Sequence, residues 1–372
     1  MIVALRELGA TSRAELARRT GLSRATVSSV LAELQASGLV DAGGSDAGGP
    51  GRPAELVRLN RAAGAALGID FGKRHLRVVL ADLGHHVLAE RCVELAFDHE
   101  ASAGIERAAG LVDEVLAESR AARDAIVGVG MGLPGPVRAG TGELGSSTIL
   151  PGWVGVRAAE AMGDRLGLPV TVDNDANLGA LAEWTWGAAR GCQTLAYVKV
   201  ATGIGAGLIV DGRPFRGAGG TAGELGHIVV DPHGPICRCG SRGCLETLVG
   251  AQALVDVLRP SLGELTVADV LERAHAGDAA CRRVLADAGA AIGAAMATLC
   301  NLFDPERVVV GGDLAAAGDL LLSPARAALG RAAITGAALV AGVLGDRAEV
   351  LGAIALALRE SGLGLAPVAE AA

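Results

Sequence analysis

The chain has 372 residues, about half of them hydrophobic (51%), and a formal net charge of −8. That length suits two or three domains with ample core. It holds no run of eighteen or more apolar residues and no basic-then-apolar leader, so neither a membrane span nor a secretory signal is expected, and the chain is read as cytoplasmic. The acidic balance argues against a nucleic-acid partner for the whole chain. Residues 1–60, however, hold seven arginines and six acids. They are thus slightly basic, and the remainder carries the negative charge. Lysine occurs only as Lys73 and Lys199, a compositional bias from which no function is read.

Ile2–Leu8 has helical periodicity. Ser12 and Glu15 have the spacing of a capping box, opening a second helix that runs to Thr20 and stops at Gly21. Ser23 caps a third helix, with Val27, Val30, Leu31 and Leu34 on one face and Gly38 at its end. A short Gly-containing turn between the second and third helices is the pattern of a helix-turn-helix. Ser23, Arg24, Thr26, Ser28 and Ser29 fall near the exposed N-terminal side of the third helix, where they can donate to phosphates and base edges. A strand starting at Leu39-Val40, the Gly-rich segment 43–53 with Arg52, and a returning strand Ala54–Leu59 complete a winged helix-turn-helix. The competing reading is a small helical protein-interaction module.

From about Arg61 the pattern turns to strands and glycines. Ala65–Ile69, His75–Ala81 and Val87–Leu95 read as a meander, followed by a helix over 102–121 and a strand Ile126–Met131. A helix over 156–166 and a strand Pro169–Val172 come next. Leu195–Val200 and Gly205–Val210 repeat the strand theme, Asp278–Phe303 reads as a long helix, Arg307–Val310 as a strand, and Ala353–Ser361 as a last helix returning to the first lobe. Asp173-Asn174-Asp175-Ala176-Asn177 follows a strand, where α/β proteins place ligand residues, although Asn174 and Asp175 also suit a helix cap. The loop Ala201–Gly207, with Thr202 and Gly203, is Gly-rich and suits a phosphate cradle.

His227, Cys237, Cys239 and Cys244 lie close together. Three thiolates and an imidazole form a preferred tetrahedral Zn²⁺ set, and with all four positions filled the metal is expected to be structural. A disulfide plus a stray thiol is the alternative, disfavoured without a leader peptide. Cys92, Cys192, Cys281 and Cys300 are expected to be buried and inert. Glu224 and Glu246 bracket the metal ligands and suit sugar hydroxyls, because a carboxylate accepts two hydrogen bonds.

Gly-Glu-Leu-Gly-His (Gly223–His227) followed by Cys-x-Cys-Gly-x-x-Gly-Cys-x-Glu (Cys237–Glu246) resembles the zinc motif of the ROK family (repressor, open reading frame, kinase). Similar segments extend from about Leu67 to Leu358, and Ser12–Ser28 resembles the DNA-binding part of its repressors. The resemblance implies an α/β, two-lobed, actin-like (ribonuclease-H-like) ATPase fold behind the winged head. It divides the chain into residues 1–60, a first lobe 61–176 with the last helix 353–361, and a second lobe 177–352. It also implies that Asn174, Asp175, Glu224, His227 and Glu246 surround a sugar, with Asp175 the catalytic base if the chain is a kinase. Gly132–Gly135 and Leu150–Trp153 resemble segments near the sugar, although Ile149 stands where many members have Asn. Kinases of the family read Asp-x-Gly-Gly-Thr after the first strand; here the residues are Asp70-Phe71-Gly72-Lys73-Arg74. Asp313 follows Gly311-Gly312, where a small residue is usual on the adenosine side. Sugar-side features are retained and ATP-side features degraded. The reading is therefore a sugar-responsive transcriptional regulator, with Zn²⁺ but not ATP as cofactor. Its expected partners are operator DNA, a sugar or sugar-phosphate effector and further copies of itself in a homodimer or homotetramer. The alternative is an ATP-dependent sugar kinase with a fused DNA-binding head; a sugar-binding scaffold that no longer touches DNA is a third reading.

Overall fold

A computed structural model describes residues 1–46, 54–96, 99–138, 141–145, 150–334 and 336–363. The expected Arg52, most of the Gly-rich segment 43–53, and Ile149 lie outside the described residues. The head begins with helices Ile2–Leu8, Arg13–Thr20 and Arg24–Ala36. Ser12 accepts from the Glu15 amide at 3.2 Å, but the reciprocal arm of the expected capping box is absent. The Glu15 carboxylate instead pairs with Arg18 one turn on. Strands Val40–Asp46 and Ala54–Leu59 pair antiparallel, and Thr11-Ser12 adds a two-residue edge that alternation rules are too coarse to detect.

Two five-stranded sheets follow with the same topology. The first runs Val87–Glu94, His75–Asp82, Ala65–Phe71, Ile126–Leu133, Val170–Asn174 from edge to edge. The second runs Arg213–Phe215, Ile204–Val210, Leu195–Val200, Arg307–Gly311, Ala338–Ala341. In each, three strands form an antiparallel meander and two more join in parallel on the far side of the first strand. This duplicated order is the actin-like architecture.

Two helices are sandwiched between the sheets. Asp175–Thr185 packs on the second sheet, Ala348–Glu360 packs on the first, and the two touch each other. Both are covered all round and mostly apolar: residues 176–185 are buried throughout, and so is 348–358 apart from a half-buried Leu351, with Asn177, Glu183 and Glu349 as buried polar exceptions. The last helix begins five residues earlier than expected. It lies directly on the central strands because Gly68 and Gly130 leave room: a Cβ on Gly68 would stand 2.6 Å from the Val350 carbonyl oxygen, and one on Gly130 would collide with that of Ala353. The same helix and residues of the first sheet, Ala66, Val79 and Ala81 among them, form one cluster with the core of the head. Ile354, Ala357 and Leu358 share one apolar cluster with Leu5, Leu16, Val27, Leu31 and Val57.

Among the described residues one helix, Ala279–Phe303, is long and apolar enough to cross a membrane. Here it is a core helix, packed along Asp319–Ala332 with Leu285, Ile292, Met296 and Cys300 buried.

Candidate functional site

The expected metal ligands converge. One ligand atom from each of His227, Cys237, Cys239 and Cys244 lies within 4.8 Å of all the others. Cys239 Sγ and Cys244 Sγ are 3.7 Å apart, and Cys237 Sγ is 3.6 Å from His227 Nδ1. A disulfide needs about 2.05 Å between sulfurs, whereas ligands about 2.3 Å from a tetrahedral Zn²⁺ stand roughly 3.8 Å apart. The donor set and spacing fit such an ion. The wrap depends on Gly243, at φ +64°, where a Cβ would collide with the Asp231 carbonyl oxygen. With Nδ1 turned to the thiols, His227 Nε2 faces Glu224 Oε2 at 3.8 Å.

The loop opens onto a cleft between the two sheets, a cavity of about 690 Å³, in the size range of small-molecule sites. Asn174, Asp175, Glu224, His227 and Glu246 all line it, as do Thr202 and Gly203. Each has local work as well. Asn174 caps helix Asp175–Thr185, its Oδ1 accepting from the Ala176 and Asn177 amides, while its Nδ2 donates to the Gly135 carbonyl at 2.8 Å. The cap reading therefore holds at this residue. Buried Asp173 accepts from Asn177 and Arg216 and ties the first sheet to the end of Arg213–Phe215. Glu246, in the first turn of the short helix that starts at the last metal ligand, pairs with Arg238 at 2.6 Å and accepts from the Ile204 amide at 3.1 Å. Burial, with Asp175 and Glu246 nearby, pushes the Glu224 carboxyl up to about 7.

Lys73, which departs from the kinase motif, and Lys199, to which the sequence reading gave no role, dominate the electrostatics. Lys73 and Lys199, the chain's two lysines, both line the cleft. Lys199 Nζ stands 2.9 Å from Asp175 Oδ2 and 3.2 Å from Glu349 Oε1, with all three side chains at most 16% exposed. Burial opposes its charge, but Asp175, Glu349 and Asp70 outweigh that and hold its pKa well above the ordinary lysine value. Asp175 and Glu349 open the two sandwiched helices, so helix dipoles favour their negative charge. Asp175 Oδ2 accepts from the Lys199 ammonium and Oδ1 from the Ala176 amide, so both oxygens already carry a bond, although a carboxylate has further lone pairs.

The ATP-side loop is also filled. His75 Nε2 lies 2.9 Å from Asp70 Oδ2, and its ring folds over Gly72 so closely that a Cβ there would overlap it. Burial raises the Asp70 carboxyl, but the His75 bond and the Lys199 charge reverse this and hold it below the ordinary range. Lys73, Arg74, Gly312 and Asp313 border the same space. Cys92, expected buried, is instead exposed at this rim; Cys192, Cys281 and Cys300 are buried.

In the head, Ser23, Arg24, Thr26 and Ser28 are exposed on the third helix, with Val27 and Leu31 buried behind them. Ser23 accepts from the Thr26 amide, and the two hydroxyls are 2.8 Å apart. Ser23 therefore sets the start of the helix, which leaves Arg24 as the long cation of this face.

A winged helix joined to a duplicated meander-and-parallel sheet pair, with a polar cleft and a His–Cys₃ loop between the lobes, defines a DNA-binding type of head on a sugar-kinase type of body. The ROK family pattern matches residues 66–360 and the MarR family pattern residues 2–49. The chain belongs to the ROK family. It is 29% identical to a xylose repressor of Caldicellulosiruptor bescii over 369 residues, covering 94% of this chain and 92% of that one. It also resembles the crystal structure of a ROK family transcriptional regulator described as a homologue of the Escherichia coli MLC protein (TM-score 0.79, 27% identity, 95% of this chain and 94% of that one). A ROK family glucokinase from Streptomyces griseus in complex with glucose and AMPPNP matches the body alone (TM-score 0.69, 28% identity, 80% of this chain and 100% of that one).

Proposed function

We infer that the chain is a sugar-responsive transcriptional regulator, a repressor that binds operator DNA through its winged head and changes its affinity when a sugar or sugar phosphate enters the cleft. The observation that carries this is the double placement of one helix. Ala348–Glu360 begins with Glu349 in the cleft, and its Val350, Ile354, Ala357 and Leu358 belong to an apolar cluster that includes Ala66, Val79, Ala81 and Leu83 of the first lobe and the core of the head. A ligand that moves the lobes around Lys199 and Glu349 thereby moves a helix that shares an apolar cluster with the head. A packed element biased by both sites is the physical basis of coupling.

In this reading Glu224, Glu246 and the Nε2 side of His227 take sugar hydroxyls, with Asn174 and Asp175 across the cleft. One Zn²⁺ on His227, Cys237, Cys239 and Cys244 fixes the backbone that carries the first three. The proposed division is a head of residues 1–60, a first lobe 61–176 with the last helix, and a second lobe 177–352; the helices Asp175–Thr185 and Ala348–Glu360 cross the boundaries at 176 and 352. The Lys199-paired Asp175 and the His75-filled loop favour regulation over phosphoryl transfer. The expected result with ATP, Mg²⁺ and a sugar panel is no sugar phosphate formed; transfer that stops in Asp175→Asn makes the chain a kinase.

Arg24→Ala is expected to weaken operator binding by about 1–3 kcal/mol if it reads a base edge. A phosphate contact would instead weaken all sequences alike and lower the salt dependence by about one ion. Unchanged gel-shift affinity removes the helix from the interface. Winged heads of this kind read paired half-sites, so a homodimer or homotetramer is expected by light scattering. Phe215 and Phe303 pack edge-on with 5.9 Å between ring centres, beside exposed Leu302 and Ile334. Charge at Leu302 and Ile334 is expected to shift the assembly towards monomer if this patch forms the contact.

A further inference from the structure

We propose that Trp186 and His85 are a positioning pair, the joint through which the second lobe sets the DNA-binding head; the proposal rests on reading the chain as a regulator whose cleft controls its head. The last helix, the first sheet and the core of the head share one apolar cluster. Glu349 gives the cleft one hold on that cluster, and Trp186 gives the second lobe another. Among the described residues between 128 and 349, Trp186 is the one packed against it. Trp186 ends helix Asp175–Thr185. That helix is fixed to the second sheet: a Cβ on Gly207 would stand 2.2 Å from the Ala176 carbonyl oxygen. Its first residue, Asp175, holds Lys199 in the cleft. Eleven residues of helix put its far end roughly 16 Å away. There the Trp186 indole N–H donates to His85 Nδ1 at 2.6 Å, with the rings edge-to-face and 4.7 Å between centres.

The turn that Trp186 reaches is tied to the head. His85 and His86 follow Gly84 in the hairpin between strands His75–Asp82 and Val87–Glu94. His86 Nε2 lies 3.3 Å from Arg61 Nη1; a guanidinium only donates, so the imidazole accepts. Arg61 passes over Gly84, where a Cβ would stand 2.9 Å from its Nε. It opens the short turn Arg61–Ala63 that follows the wing. Asn60 caps that turn, accepting from the Ala62 amide, and its Nδ2 donates to the Gly38 carbonyl at 3.0 Å, just past the end of helix Arg24–Ala36. Bonded contacts thus run from Asp175 in the cleft, along one rigid helix, to the end of the third helix of the head. A cavity of about 520 Å³, lined by Leu5, Asp41, Asn60, Arg61 and Gly84, lies between the head and this turn. The head can therefore shift there without displacing packed side chains, and the linker contacts decide where it rests.

The test is amide hydrogen exchange, read by mass spectrometry on the full-length protein with no sugar or DNA added. In Trp186→Phe, which keeps a ring but loses the N–H, segment 24–36 is expected to exchange roughly fivefold faster than in the parent, the scale of one lost hydrogen bond. His85→Gly should do the same, and the two together no more than either alone, because both remove one contact. His85→Asn should recover most of the protection, since Asn Oδ1 offers an acceptor where Nδ1 stood. Glycine and asparagine both accept the φ of +68° at this position. Trp184→Phe is the control. Its indole N–H donates to the Cys192 carbonyl at 2.7 Å within the second lobe, so its loss should loosen that lobe and leave 24–36 unchanged. Protection of 24–36 equal to the parent's in Trp186→Phe and His85→Gly, or lost as much in Trp184→Phe, overturns the proposal. Because neither sugar nor operator enters the test, such a result leaves the regulator reading standing; that reading fails separately, if operator affinity ignores every sugar.

Discussion

Replacing Lys199 with Met is expected to destabilise the folded chain by about 3–5 kcal/mol, the usual effect of breaking a buried ion pair from one side. Its ammonium is shared by Asp175 and Glu349, and Asp70 adds to its field. Without it, three carboxylates crowd one poorly hydrated space. Glu349 already has a carboxyl raised by burial, with Lys199 the main opposing influence, so in the variant it is expected to take up a proton. The sign in pH follows. A lysine held above its ordinary value contributes fully below about pH 10.5 and loses that contribution only as pH rises through the higher folded value. The parent's advantage in denaturant titration should therefore persist throughout the neutral range. Equal midpoints for parent and variant at pH 7 contradict the assignment of Lys199 as the counter-ion that joins the lobes.

Removing the metal is expected to act as strongly, and on function first. Structural Zn²⁺ sites in small peptides bind with apparent energies of about 10–16 kcal/mol. The loop from Glu224 to Glu246 is held otherwise by short-range backbone bonds, among them Val230 to Gly243, Cys237 to Ser241 and Leu245 to Ile228, with the 3-10 turn Leu225–His227 and the short helix Leu245–Val249 at its ends. One zinc per chain is expected in purified protein. Cys239→Ser with Cys244→Ser should release it, lower the melting temperature, and abolish the sugar response. Operator binding without sugar should survive, because the head's cluster contains none of the four ligands. Zinc retained by the double variant contradicts the ligand set.

The metal ligands were legible in the sequence because they are local: His227 to Cys244 is one loop, so spacing alone carries the geometry. Helix starts were legible for the same reason, at Ser12, Ser23 and Asp278, whose side chains accept from the amides three residues on. The succession of strands and helices in the first lobe was legible from their periodicity, whereas the edge strands Arg213–Phe215 and Ala338–Ala341 of the second sheet were not predicted. What spacing does not carry is the pairing of charges across the cleft. Lys199 and Glu349 meet from sites 150 residues apart. One signal was present. Lys199 interrupts the apolar strand Leu195–Val200, where a solitary buried lysine needs a partner; reading the two lysines as compositional bias missed it. Glu15 was misread because two local partners competed for it, and Arg18 wins over the capping box.

The most direct test of the central claim is operator affinity measured with and without the effector, for the parent and for Glu246→Gln. If the cleft senses the sugar and the last helix passes it to the head, the parent should change affinity by roughly 5–150-fold, the usual range of a coupling free energy. Glu246→Gln should bind operator like the sugar-free parent and ignore the effector. Asp175→Asn should keep more of the response, since recognition of hydroxyls needs no base. A Glu246→Gln protein that responds to the sugar as the parent does would contradict the account.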